Sequence, residues 1–329
     1  MPIELTEVSN WDGLPVPDIY FSYEYHAVSA SLEVEGTEPL LVEMRNEGGV
    51  FRLPLLLRPI NGRLWDATSC YGYGGPWWEG GGATTGIREA LDEWARNRGV
   101  VCTFLRLHPV LGNREVAANF FDVLDLNETV EWPLALDVDL LSGMKKKHRQ
   151  YARKAERDGL TCEVVVNPTD FDEFLGLYMG SMDRLDAGDF YRFPADYWDG
   201  LAGSAGCETV LFNVRLGDET VASLLCLSSG QLLHAHLLGA NDAGRDRKAN
   251  YLAYVAAARW GRENGKAAFH LGGGYGSDGG DLLAWKRGFS PTSEPRQFSV
   301  AKVVHDPEAY RELAGSDSTD GYFPPWRQM

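Results

Sequence analysis

Six glycines lie between Gly272 and Asp281, after an apolar segment (Ala267–Leu271) and before a short segment (Leu282–Arg287) that stops at Gly288. A loop of that composition lets backbone amides approach an oxyanion or a phosphate, because no side chain stands in the way. It contains Gly274-Tyr-Gly276-Ser-Asp-Gly279, the spacing of a dinucleotide-binding turn. The helix that follows is too short for that role and no further strand–helix–strand unit continues it, so a Rossmann reading is rejected. A second feature is cationic. From Gly143 to Asp158 the chain holds seven Lys/Arg and two acids. At helical spacing Met144, His148, Tyr151 and Ala155 form a buried stripe, and Lys146, Arg149, Arg153 and Arg157 a parallel charged one. Lys145, Lys146 and Lys147 fall in the first turn, where the helix dipole disfavours cations by roughly 0.3–1 kcal/mol each. An anionic partner accounts for that placement; a solvated basic face is the alternative. His234 and His236 alternate on a strand and share one face, as cleft residues in contact with a substrate or as plain packing. They lack a convincing third ligand, so no metal is expected. Nor is there a Ser/His/Asp or Cys/His arrangement of the kind that forms a covalent acyl-enzyme.

The elements that position these groups repeat along the chain. Residues 41–58 (LVEMRNEGGVFRLPLLLR) and 211–228 (LFNVRLGDETVASLLCLS) align without gaps at an offset of 170, each an apolar strand, a polar turn and a second apolar strand. Residues 93–107 and 259–273 align at an offset of 166 and share W-x-R-x-x-G, through Trp94/Trp260, Arg96/Arg262 and Gly99/Gly265. Each Gly stands where a helix C-terminus needs a left-handed residue. The expected fold class is therefore α+β, two tandem domains, each a mixed sheet flanked by helices. The boundary is placed near residue 140, giving domains 1–140 and 141–329. WPLALDVDLLSG (132–143) is expected to be a strand and turn, with Ser142 capping a helix from about Met144. A last strand spans Gln297–Val304, and the tail from about residue 300, pinned by Trp326, is expected to pack back on one of the domains.

A chain of 329 residues with 44% apolar and 12% aromatic content has enough core for two domains. The net charge of −16 excludes a general nucleic-acid binder, so any polyanion must be met at a local patch such as 143–158. The sequence has no signal-like N-terminus and no apolar run long enough to span a membrane. Its five scattered cysteines suit reduced thiols, so a cytoplasmic protein is expected. The oligomeric state is not legible.

Four stretches, in order, resemble the FemABX-type family of tandem GNAT-fold enzymes. They are PLLLRP…DATSCYGYGGPW (54–77), KKKHRQYARKAERDGL (145–160), FLGLYMGSMDRLDAGDFYRFPADYW (174–198) and HLGGGYGSDGGDLLAWKRGFSP (270–291). That family transfers amino acids from aminoacyl-tRNA to an amine, originally on peptidoglycan precursors. The resemblance implies aminoacyl-tRNA and a peptide or small-molecule amine as partners, with no bound cofactor. It places Lys286 of Trp285-Lys286-Arg287-Gly288-Phe289 in the active centre, where Trp replaces the family's first Phe. As a cation Lys286 would contact the terminal adenosine or the charge developing on the ester. It implies substrate contacts at Tyr71, Tyr73, Arg184 (toward the acceptor's anionic part), Tyr191, His234, His236 and Asp281. It also implies tRNA contacts at Lys145, Lys146, Lys147, Arg149 and Arg153. Lys286 and the lysine run are expected at the surface. The alternative is an acyl-CoA-dependent N-acyltransferase. Against it, the R/Q-x-x-G-x-G/A cradle for pyrophosphate reads Arg245-Asp-Arg-Lys248-Ala-Asn250 in the second half, with neither glycine, and GGGATTG (80–86) in the first, without the opening Arg/Gln.

Overall fold

The computed structural model describes residues 3–135, 139–188, 191–203, 206, 208–274 and 280–328. In chain order it forms β1 (Glu4–Val8), α1 (Tyr23–Ala30), β2 (Glu38–Asn46), β3 (Gly49–Pro59), β4 (Trp65–Thr68), β5 (Trp77–Gly80), α2 (Ile87–Arg98), β6 (Val100–Arg106), α3 (Asn113–Ala118) and β7 (Val123–Pro133). There follow α4 (Leu140–Gly143), α5 (Lys146–Arg157), β8 (Leu160–Val166), α6 (Asp172–Arg184), α7 (Ala195–Gly203), β9 (Glu208–Leu216), β10 (Glu219–Ser229) and β11 (Leu232–Ala240). The last elements are α8 (Asp242–Asp246), α9 (Ala249–Glu263), β12 (Ala268–Gly272), α10 (Gly280–Lys286), β13 (Arg296–Val304) and α11 (Pro307–Ala314). They group into two compact units, Met1–Leu126 with Gln297–Met329, and Asn127–Arg296. The division at 126 falls within β7, and the one at 297 falls at the start of β13.

In the first unit β1, β2, β3, β4 and β6 follow one another, and β13 closes the far side against β6, from Val300↔Arg106 to Val304↔Cys102. A strand from the chain's end thus completes a sheet begun at its start. The core between this sheet and α2 is built from Met44, Phe51, Leu53, Leu55, Leu91 and Trp94, with Ala301 and Val303 from β13. The tail belongs to this unit: Trp326 Nε1 donates to Asp66 Oδ2 at 2.8 Å. In the second unit the order is β7, β12, β11, β10, β9, β8. Helix α9 (ANYLAYVAAARWGRE) is rich in strong helix formers and nearly apolar all round, as a helix buried on most of its surface must be. Its Leu252, Val255 and Ala258 pack with Phe212, Val214 and Leu224 of the sheet.

The repeat is visible residue by residue. Hairpin β2–β3 (38–46, 49–59) maps onto β9–β10 (208–216, 219–229) at an offset of 170 throughout. The parallel pairing of β4 with β6 ends at Thr68↔Phe104, and that of β11 with β12 at His234↔His270, both 166 residues on. Gly99 and Gly265 close α2 and α9 at φ 78° and 74°. Three local expectations are corrected. The strand expected at the start of WPLALDVDLLSG occupies Val123–Pro133 instead. Ser142 is not an N-cap; Asp139 caps the short helix α4, accepting from Leu141 N. The basic helix begins at Lys146, with Lys145 at its N-cap. Among the described residues no helix is long and apolar enough to cross a membrane.

Candidate functional site

In the second unit β11 and β12 pair only as far as His234↔His270. Beyond that point the chain of β11 continues to Ala240 while β12 ends at Gly272, so two parallel strands part at their carboxyl ends. An open cleft of about 390 Å³ in this unit is lined by Tyr151, Leu238, Arg245, Lys248, Asn250, Tyr251, Leu282 and Trp285. Its walls are aromatic and aliphatic, and one side is the N-terminus of α9, where free amides and the helix dipole favour an anion. Lys248, the N-cap of α9, holds φ 64° and ψ 34°, a left-handed conformation that a glycine adopts without penalty. A lysine thus keeps the backbone turn while setting an ammonium at the helix mouth; its Nζ lies 5.7 Å from the centre of the Tyr151 ring. Arg245 is held by Asp242 at 2.6 Å.

Helix α5 leans on this cleft through an aromatic interlock. His148 Nε2 donates to the Trp285 carbonyl at 2.8 Å, and its ring meets Tyr251 and Phe289 edge-on at 5.0 and 4.9 Å. Lys145 N donates to the Gly288 carbonyl at 2.9 Å. Burial lowers the His148 pKa, and Lys145 and Lys147 push it the same way, which favours the neutral ring. Tyr151, on the same helix, forms part of the cleft wall and carries the Lys147 ammonium 5.6 Å over its ring.

The expected cations divide. Lys145, Lys146, Lys147 and Arg153 are exposed and have no carboxylate partner among the described residues. Arg149 is drawn toward α4: its Nη1 donates to the carbonyls of Leu141, Ser142 and Met144 at 3.2, 3.0 and 3.4 Å, satisfying the end of that helix. Lys286 is half-buried rather than fully exposed. Its Nζ donates to the Gly273 carbonyl at 2.7 Å, beside the end of β12, and desolvation pushes its pKa down to about 8. It remains mostly a cation at neutral pH, yet within reach of proton exchange. It does not line the cleft, although its neighbour Trp285 does.

Arg184, in the last turn of α6, donates to the Ala240 carbonyl at 3.3 Å, at the end of β11. Desolvation first, and the nearby Arg245 of α8 second, lower its pKa. His234 Nδ1 lies 3.3 Å from His270 Nδ1, whereas His236 Nε2 lies 2.7 Å from the Tyr197 hydroxyl. A bulge opposite Leu225/Cys226 inserts His236 into β11 and breaks strict alternation, so the two histidines meet different neighbours. Burial lowers the His236 pKa to about 3. Tyr191 precedes an aromatic cluster of Tyr178, Phe193, Tyr197 and Trp198, and its carbonyl accepts from the Tyr178 hydroxyl at 2.9 Å. Asp281 is exposed in the first turn of α10. Residues 275–279 of the glycine-rich loop lie outside the described residues.

In the first unit Tyr71 and Tyr73 stand on the turn after β4. The Tyr73 ring meets Tyr20, His108 and Phe298 at 5.2, 5.6 and 5.6 Å. Gly72, at φ 106°, lies so close to Tyr20 that a Cβ would meet its Cε1 at 2.5 Å. Asn113 Nδ2 pins the turn through the carbonyls of Gly74 and Pro76. Three residues that sequence reasoning missed emerge here. His305 bridges Asp92 Oδ1 at 2.7 Å and Thr103 Oγ1 at 3.0 Å, a triad-like line. Thr103 and His305 are each only 3% exposed, so this line ties α2, β6 and the end of β13 together rather than meeting a substrate.

Residues 142–287 match the acetyltransferase (GNAT) domain family. No curated protein matches the sequence. Among solved structures, FemX is similar over 91% of this chain and 95% of its own, with a TM-score of 0.67 at 12% identity. A tandem GNAT protein from clavulanic acid biosynthesis is similar over 92% and 98%, at a TM-score of 0.51 and 11% identity. A conserved protein of unknown function from Bacteroides thetaiotaomicron is similar over 85% and 92%, at 0.53 and 13%. The chain therefore has a FemX-like tandem GNAT fold, with its similarity to the acetyltransferase (GNAT) domain family lying in the second half.

Proposed function

We propose that this protein is an acyltransferase that uses aminoacyl-tRNA to form an amide bond, joining an amino acid to the amine of a small molecule or peptidoglycan precursor. The observation that carries the reading is the double membership of Tyr151. It forms a wall of the cleft and stands on the helix whose Lys145, Lys146, Lys147 and Arg153 face solvent. A donor seated in the cleft is thereby followed outward by a line of cations, as a donor with a long phosphate backbone requires. The lysine in place of glycine at the mouth of α9 agrees with this. It adds charge where an acyl-CoA cradle needs room for close backbone approach.

In this reading the acceptor amine attacks the ester carbonyl directly. The new C–N bond forms as the ester C–O bond to the tRNA ribose breaks, the amine loses a proton and the ribose hydroxyl gains one. Aromatic walls orient the donor end. We assign to Lys286, fixed by Gly273, the positive charge that favours the developing oxyanion. The test is product formation by the purified protein with a panel of charged tRNAs and candidate amines. RNase treatment is expected to abolish product. Full activity after RNase, with CoA released in step with product, would replace this reading with acyl-CoA-dependent N-acyl transfer.

A further inference from the structure

In the first unit, Arg106 closes β6 next to the turn that carries Tyr71 and Tyr73. Its guanidinium lies 5.1 Å over the face of Phe104, and its backbone N–H is taken by Ser69 Oγ at 3.1 Å. The surrounding charges are unequal. Arg58 is held by Asp66 at 2.5 Å and by Glu33 at 2.9 Å. Arg327 holds the other oxygen of Asp66 at 2.9 Å, and Trp326 donates to that same oxygen. Both carboxylates are thereby engaged, and no carboxylate lies within ion-pair distance of Arg106 among the described residues. Arg106 thus forms no ion pair of its own among the described residues. Arg106 stays partly exposed, yet protein crowds it enough that desolvation lowers its pKa; Glu33 is the first charge acting against that shift, Cys70 and Tyr71 act the same way, and Arg58 adds to it. A partly desolvated guanidinium that forms no ion pair of its own is a place where a bound anion gains a charge-assisted contact.

We infer that Arg106 anchors a small-molecule carboxylate, seated between the Phe104 ring and the Tyr71 turn. The single charge of Arg106 suits a carboxylate better than a phosphate dianion, and the planar fork of the guanidinium matches two carboxylate oxygens. Assigning this carboxylate to the amine acceptor rests on the proposed transfer reaction and makes that acceptor an amino-acid-like molecule. The binding site itself does not depend on the donor.

The test uses the full chain with benzoate as probe, benzamide as its uncharged counterpart and inorganic phosphate as competitor, read by calorimetry and thermal unfolding. Benzoate is expected to bind saturably and raise the unfolding temperature, with benzamide silent and phosphate weaker. Arg106→Gln should weaken benzoate by about tenfold or more, as loss of a charged hydrogen-bond pair does, and Arg106→Lys should restore part of the binding. Without ligand, Arg106→Gln should unfold at the wild-type temperature or above it. Equal benzoate binding by wild type and Arg106→Gln, equal binding of benzamide, tighter phosphate binding or no saturable benzoate binding would overturn the inference. So would early unfolding of unliganded Arg106→Gln, which would make Arg106 a structural partner. These measurements involve no transfer, so they stand apart from failure of the proposed reaction.

Discussion

Gly288→Ala tests whether the aromatic interlock holds α5 against the cleft. Gly288 does not adopt a positive φ, so alanine meets no backbone penalty. A Cβ there would lie 2.0 Å from His148 Cε1, 2.1 Å from Nε2 and 2.6 Å from Nδ1. The imidazole cannot yield in place, because Tyr251, Phe289 and the Trp285 carbonyl confine it, so it has to leave. Its hydrogen bond contributes about 1 kcal/mol. Its two ring contacts add about 0.5–1.5 kcal/mol each. The expected loss is about 2–4 kcal/mol, in the range of other overpacked cores. Urea unfolding of Gly288→Ala, His148→Gly and the double variant forms a closed cycle. With the ring removed, the added methyl should cost less than about 0.5 kcal/mol, the level of an unconstrained site. A Gly288→Ala protein with the wild-type midpoint refutes the argument. A penalty that persists in the His148→Gly background refutes it too.

Three further outcomes follow from the charges. Lys286 releases its proton at about 8 in the folded chain against 10.5 in the unfolded one, so the unfolded state binds more protons between these values. Stability relative to Lys286→Met should therefore rise with pH from about 8 to 10.5; a flat difference in paired unfolding curves would contradict the desolvation of this ammonium. Replacing Lys145, Lys146 and Lys147 together by Gln should raise the KM for charged tRNA and flatten its salt dependence, with kcat little changed. Steady-state kinetics at two salt concentrations would expose the helix as a mere solvated face if KM held at both. Asp66→Asn removes the counter-charge of Arg58 and Arg327 at a site with no solvent exposure, and should destabilise by about 3–5 kcal/mol in denaturant titration. A loss below 1 kcal/mol would mean that the tail, and not the carboxylate, secures this corner.

The sequence disclosed what depends on local pattern. Apolar alternation around a polar turn places both hairpins to the residue, and the W-x-R-x-x-G helix ends fix the parallel strands that follow. What it hid depends on partners distant in the chain. Nothing in Gln297–Val304 distinguishes a strand that pairs with β6 from one that pairs within its own half, since both demand the same alternation. Arg149 has the type and spacing of a phosphate ligand, but three carbonyls at the end of α4 claim it. His236 has the spacing of a cleft residue, but a bulge decides what it meets. Arg106 looked unremarkable because the absence of a counter-ion is a property of its surroundings, legible only once Arg58, Glu33, Asp66 and Arg327 are placed.

The discontinuous first unit has a consequence for how the chain is made. Synthesis runs from the N-terminus, and domains tend to fold as they emerge. Residues 1–126 emerge first, but β6 then lacks its antiparallel neighbour, since Val300–Val304 lies beyond the whole of the second unit. For the time needed to add about 170 residues, roughly ten to thirty seconds at ordinary elongation rates, the nascent first unit presents β6 as an open edge. Such an edge is a template for pairing with a foreign strand. The ribosome therefore delivers the closing strand last, and a stalled or truncated product ending before β13 would be the species that chaperones must hold.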